Sequence, residues 1–195
     1  MKHVLLAGLA GMLLAGCSSM RQLDDDAPGP SGEESVVILG MHDAEDQVFI
    51  FPGTVGADGS FVTDPMRMAT VAGKPRNGYL VGKARAGDVI AITTVRFDAH
   101  PGKFSGTEEF RFCKGEKTMV FKVPQGKVAY LGSVEYRFVD RNMNILYTVE
   151  LDQAQRYIDS TFPALKGKVE HIAPDFRTLG GPCFPKTYIP IYITR

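Results

Sequence analysis

The chain has no excess charge: its 22 Lys and Arg balance 22 Asp and Glu. That balance, with no basic stripe, removes the electrostatic footprint of a nucleic-acid-binding protein. Local signatures of catalysis are scarce too. The sequence holds no GxSxG elbow, no glycine-rich phosphate loop followed by Lys and Ser/Thr, and no CxxC pair. The ordinary signals for a serine hydrolase, a nucleotide-binding loop, a zinc ribbon and a thioredoxin-like centre are therefore missing. Beyond the first residues the histidines are His42, His100 and His171, too far apart in sequence to suggest a zinc site. No repeat of fixed period argues for a propeller or solenoid, and nothing points to a cofactor. Long apolar runs are also lacking, since the longest, from Val4 to Leu14, falls short of the roughly 20 residues that span a bilayer.

What is present begins at that run. Lys2, the apolar stretch Val4 to Leu14 and the small residues behind it have the layout of a secretory signal. The exit sequence Leu14-Ala15-Gly16-Cys17 resembles the lipobox of bacterial lipoproteins. The resemblance implies cleavage between Gly16 and Cys17, acylation of the Cys17 thiol, and a mature chain that starts at a lipid-bearing cysteine. It further implies, through Ser18 in place of an Asp, passage to the outer membrane on its periplasmic face. Two or more acyl chains would hold permanently, because each buried CH₂ contributes about 0.8 kcal/mol where a single myristoyl is marginal.

The sequence thus divides into a signal peptide (1–16), a lipidated cysteine with an acidic Pro/Gly tether (17–34), and one folded domain (35–195). Between Ser18 and Glu34 stand Asp24, Asp25, Asp26, Glu33 and Glu34 against Arg21 alone, around Ala27-Pro28-Gly29-Pro30-Ser31-Gly32. Such a stretch buries too little apolar surface to offset chain entropy and is expected to be disordered. As a coil it would span on the order of 23 Å and stand the domain off the membrane.

From Ser35 onward, short β-branched and aromatic runs alternate with Gly, Asp, Asn and Pro clusters, the pattern of an antiparallel β-protein. Strands are expected at Ser35 to Gly40, Gln47 to Phe51, Phe61 to Thr63, Met66 to Val71, Gly78 to Ala84 and Val89 to Phe97, with a loop over Asp98 to Gly106. Phe110 and Phe112, then Met119, Phe121 and Val123, alternate cleanly across a turn. Val128, Tyr130, Val134, Tyr136 and Phe138 share one parity, with Gly132 marking a bend that suits a strand shared between two sheets. Ile145 to Val149 pairs back. One helix follows, on the stripe Ala154, Tyr157, Ile158, Thr161 and Leu165, with Asp152 and Gln155 as a capping pair and Pro163 as its stop. A loop and a final edge strand, Tyr188 to Ile193, close the chain. About nine strands and one helix indicate an antiparallel β-sandwich.

The segment Phe121-Lys122-Val123-Pro124-Gln125-Gly126-Lys127-Val128-Ala129-Tyr130-Leu131-Gly132 resembles one in uncharacterised Gram-negative envelope lipoproteins. Gly78-Tyr79-Leu80-Val81 and Ala86-Gly87-Asp88-Val89 resemble the strand and glycine-turn pairing of prealbumin-like sandwich modules. These likenesses imply a single β-sandwich in the cell envelope and carry no functional residue.

Three further groups hold candidate chemistry. Cys113 and Cys183, in an oxidising compartment, suit a structural disulfide closing a long loop; two buried free thiols, a metal-binding cysteine, or a reactive Cys113 with His100 or His171 as base, are the alternatives. Asp43, Glu45 and Asp46 in the turn His42-Asp43-Ala44-Glu45-Asp46 could offer oxygen ligands to a divalent metal such as calcium, though the run lacks EF-hand spacing and is more simply a solvated turn. Tyr130, Tyr136 and Phe138 would form a sugar- or peptide-binding face if exposed, or core if buried. The sequence supports a non-enzymatic binding or structural module, tethered to the membrane, whose partner is another envelope protein or peptidoglycan. A cell-wall-modifying enzyme with residues scattered in sequence, or a carrier of an apolar ligand, are the competing readings; a pocket gathering His100 or His171 with a carboxylate, or a large apolar cavity, would distinguish them.

Overall fold

The computed structural model describes residues 22–43, 45–97, 108–139 and 142–181. Among them run twelve strands and one α-helix: β1 (Glu34–Met41), β2 (Gln47–Val55), β3 (Phe61–Thr63), β4 (Val71–Gly73), β5 (Tyr79–Arg85), β6 (Val89–Phe97), β7 (Glu108–Arg111), β8 (Lys117–Lys122), β9 (Val128–Val139), β10 (Asn142–Thr148), α1 (Leu151–Thr161), β11 (Val169–His171) and β12 (Asp175–Thr178). They form two sheets. The first has the order β10-β9-β1-β5, with β11 also on β9; the second has the order β12-β8-β6-β2-β3, with β4 on β2 and β7 on β6.

Why the sheets pack as they do is visible in β1. Seven of its eight residues are buried, which a strand with one wet face cannot achieve. Its odd positions Val37 and Leu39 meet Ile90, Ile92 and Phe121 of the second sheet in the core between the sheets. Its even positions Val36 and Ile38 turn the other way, to a second core built with Tyr130, Ala154, Ile158 and Phe162 under α1. The body therefore has three layers, helix on sheet on sheet. A smaller cluster of Phe61, Ala91, Val120 and Leu179 lies on the other face of the second sheet.

The sandwich is as expected, and most pairings are antiparallel. Two are parallel, β1 with β9 and β11 with β9. Parallel neighbours need long crossovers, and the chain supplies them: strands of the second sheet intervene between β1 and β9, and β10 with α1 between β9 and β11.

Several local expectations are corrected. Gly132 does not pass β9 to another sheet. It has φ +95° and lies in a bulge where β9 runs from Tyr130, opposite Ile38, to Ser133, opposite Gly40, so β9 carries one residue more than β1. The extra residue reverses the facing. Val128 and Tyr130 point to the helix side, whereas Val134 and Tyr136 point between the sheets, so the shared parity does not mean a shared face. Gly132 also separates the β9 residues that pair with β11 from those that pair with β10.

Met66 to Val71 is not a strand. Asp64 folds this stretch into a turn by accepting the Met66 N–H at 2.9 Å through Oδ1 and the Arg67 N–H at 3.4 Å through its carbonyl, leaving only Val71–Gly73 as β4. Helix α1 starts from Glu150 with no side-chain cap. Gln155 instead donates to Asp159 Oδ1 at 2.7 Å and accepts the Val169 N–H at 3.2 Å, tying the helix to β11. The helix ends before Pro163, as expected, and a 3₁₀ turn, Pro163–Leu165, follows. The stretch after it, expected as loop, contributes β11 and β12. The expected loop over 98–106 and strand over 188–193 lie outside the described residues.

Candidate functional site

The acidic segment ahead of β1 is the largest departure from expectation, and it builds the site. From Gln22 onward the segment lies against the body. The Leu23 N–H donates to the Val81 carbonyl at 2.8 Å, the Leu23 side chain is buried in the core under α1, and Ala27 packs beside it. The Gln22 side-chain amide donates to the Lys74 carbonyl, and Arg76 holds Asp25 at 2.8 Å. One buried leucine and a handful of polar bonds offset the entropy that composition alone would leave uncompensated.

Between this strap, β5 and the turn after β3 lies an open groove of about 640 Å³ whose lining includes Leu23, Glu34, Arg67, Met68, Lys83 and Arg85. Neighbouring strands place its charges. Glu34 stands opposite Arg85 across the β1–β5 ladder, yet it pairs with Lys83 at 3.4 Å. Arg67 grips Asp88 with both terminal nitrogens, at 3.1 and 2.5 Å, and this bond raises its pKa. Asp88 lies in the β5–β6 turn, where Gly87 takes φ +83°. The Arg85 guanidinium makes no hydrogen bond or ion pair among the described residues. Arg85 also lines a second open groove of about 450 Å³, beside Glu33, Lys122 and Gln125. Near the first groove, Met66 and Met68 stand out from the Asp64 turn at 91% and 58% exposure, and Met68 lines the groove itself.

A second concentration of polar groups lies where β9, β10 and β11 meet. Tyr130 Oη and Ser133 Oγ are 2.7 Å apart in a buried pair, and the Glu150 N–H donates to Tyr130 Oη at 3.3 Å. His171 Nε2 and Tyr147 Oη are 2.9 Å apart, while His42 stands 3.9 Å from Glu150. Burial raises the Tyr147 phenol, and Tyr130 adds to it. Burial also pushes the Tyr79 phenol up to about 12, and it raises Tyr136, with the nearby Asp46 adding to the effect. Those three hydroxyls stay protonated at any neutral pH and act here as neutral hydrogen-bonding and packing groups. His171, one of the histidines that a scattered catalytic site would use, bonds a phenol rather than a carboxylate.

The chain matches no family model, no curated protein and no solved structure.

The residues singled out from sequence fare unequally. Asp43, Glu45 and Asp46 go three ways: Asp43 Oδ1 accepts the Glu45 N–H at 3.0 Å, Glu45 reaches Lys74 at 3.0 Å, and Asp46 is buried. Among the described residues no three His, Cys, Asp or Glu side chains converge on a metal position. Tyr130 and Tyr136 are buried core, so they form no exposed face, and the Phe138 side chain lies outside the described set. The Cys113 N–H donates to Glu116 Oε2 at 2.7 Å. Gly16, Cys17, His100 and Cys183 lie outside the described residues.

Sequence reading misses the groove. Its only signals are Leu23 amid acids and the pair Met66 and Met68 flanking an arginine, which are weak without knowing that β5 and β1 are neighbours.

Proposed function

We propose that this chain is a lipid-anchored lipoprotein of the outer membrane, facing the periplasm, that serves as a non-enzymatic binding or structural module. The observation that carries this reading is the leader, in which Lys2, the Val4 to Leu14 run and Leu14-Ala15-Gly16-Cys17 fall in the order that export and acylation require. The body is in keeping with it. Its grooves are open and lined by charged side chains, several of them paired with one another, an arrangement suited to meeting a neighbour's surface. The neighbour on this reading is another envelope protein or peptidoglycan.

The oxidised pair Cys113–Cys183 belongs to the same reading. Lys114, next to Cys113, bridges to Leu179, and the Gly115 N–H donates to the Leu179 carbonyl at 3.1 Å. Cys183 follows Leu179 by four residues in the sequence.

Intact mass of the mature protein tests the anchor. The expected result is a chain beginning at Cys17 and carrying acyl mass, with Cys17→Ser released from the membrane fraction. An unmodified chain that stays equally membrane-bound after that substitution would overturn it. Cross-linking in intact cells then reads the partner: recurrent adducts to one envelope component are expected, and none across several linker lengths would count against a binding module.

A further inference from the structure

The docking of Leu23 changes what an anchor at Cys17 would do. A free 17-residue tether could extend up to about 60 Å, but the chain from Cys17 to a fixed Leu23 is six residues and reaches at most about 22 Å. An anchor of that reach keeps the side of the body around the strap nearer the lipid headgroups than the far side. That side is the face of the first groove, where Leu23, Arg67 and Met68 line one hollow.

The composition of that face suits the position. Met66, at 91% exposure, is the most exposed large apolar side chain among the described residues, and Met68 follows at 58%. Both lie in a turn fixed by Asp64, with Arg67 between them clamped to Asp88. Unbranched thioether chains beside cations are the makings of an interfacial contact, in which apolar tips enter the acyl boundary while charges stay at headgroup level. The charges are of both signs. Arg85 makes no ion pair among the described residues, and neither does the carboxylate of Asp24; both line the first groove. A zwitterionic headgroup offers a phosphate to the former and an ammonium to the latter.

We propose that the strap, the first groove and the Met66–Met68 turn form a membrane-facing surface that seats on zwitterionic phospholipid, with Met66 and Met68 entering the interface. The proposal rests on acylation of Cys17.

The chain contains no tryptophan, so one introduced indole reports a single site. Met66→Trp and, on β12, Phe176→Trp would each be prepared as the acylated mature protein in phosphatidylethanolamine–phosphatidylcholine vesicles, with and without brominated acyl chains. The expected result is blue-shifted emission from the indole at position 66 and quenching by bromolipid severalfold greater than at position 176. Water-like emission at position 66, or equal quenching at both positions, in protein that floats with the vesicles would overturn the proposal and leave the anchor intact. Protein without acyl mass that fails to float would overturn the anchor reading itself, and this inference with it.

Discussion

Gly132 holds a backbone angle that side chains with a Cβ rarely adopt, and its missing side chain leaves room for the Tyr147 ring. Alanine there would strain the backbone and overlap that ring, so Gly132→Ala should lose about 2–4 kcal/mol, read as a lowered urea midpoint. Gly40 is a useful companion. A Cβ there would meet Ser133 Oγ, but its backbone is extended, and Ser133→Gly should relieve part of the cost of Gly40→Ala. The charged residue with the clearest pH signature is Glu109. Burial alone would raise its pKa, but hydrogen bonds from Arg96 and Arg111 hold it below the usual carboxylate value. A lowered folded pKa means that the contribution is present above the unfolded value of about 4.3 and is lost as pH falls through the folded one. The Tm difference between the native chain and Glu109→Gln should therefore be constant near neutrality and shrink below about pH 4. A difference that persists at pH 3 would show that Glu109 acts by packing instead.

At the scale of elements, what can be read from sequence follows from how much pattern each element contains. Val89–Phe97 is found with the expected bounds, because eight β-branched or apolar residues out of nine, between two turn clusters, leave little choice. The helix is found too, through the spacing of Ala154 and Ile158, both buried, although Leu165 of the same expected stripe lies beyond it in the 3₁₀ turn. Its start misleads because Asp152 and Gln155 satisfy a capping pattern that α1 does not use. Strands β11 and β12, of three and four residues, are too short to show a period; their existence depends on β9 and β8 being there to pair with. The strap is illegible for a similar reason. Acidic, proline-rich composition describes an average chain in water, whereas Leu23 responds to one specific apolar site under α1. Replacing it tests that account. Leu23→Asp should free residues 22–30, so that limited proteolysis cuts within them while the body resists. Cutting of native and variant chains at equal rates would show that the strap is not held by this leucine. In the same core, Ile158→Ala should cost about 2–5 kcal/mol, as other buried Ile truncations do.

For the whole molecule, composition indicates a single core of ordinary size, and the structure divides it into two main layers that share the first sheet. This arrangement cannot be read from the chain, because it depends on the strand order, which pairing across long sequence distances decides. It does explain why β1 reads as an unbroken apolar run. The disulfide is likewise a property of the whole, since it would fasten the segment after β12 to the β7–β8 turn. Mass spectrometry should find the native chain two protons lighter than its reduced form, and Cys183→Ser should lower the Tm by several degrees in proportion to about 2–4 kcal/mol. Identical masses before and after reduction would mean that the thiols are free.

The placement of β1 also bears on how the chain acquires its shape. This strand is made early and carries the apolar stretch Val36-Val37-Ile38-Leu39, yet one of its two neighbours is distant: Val36 lies beside Val128. Until most of the polypeptide has been synthesised, the hydrogen-bonding groups along that side have no mate, and loops of such length close slowly. Maturation therefore waits on the arrival of a late segment. In the interval a sticky, half-matched ribbon is open to any shielding factor, or to misassociation with its own kind.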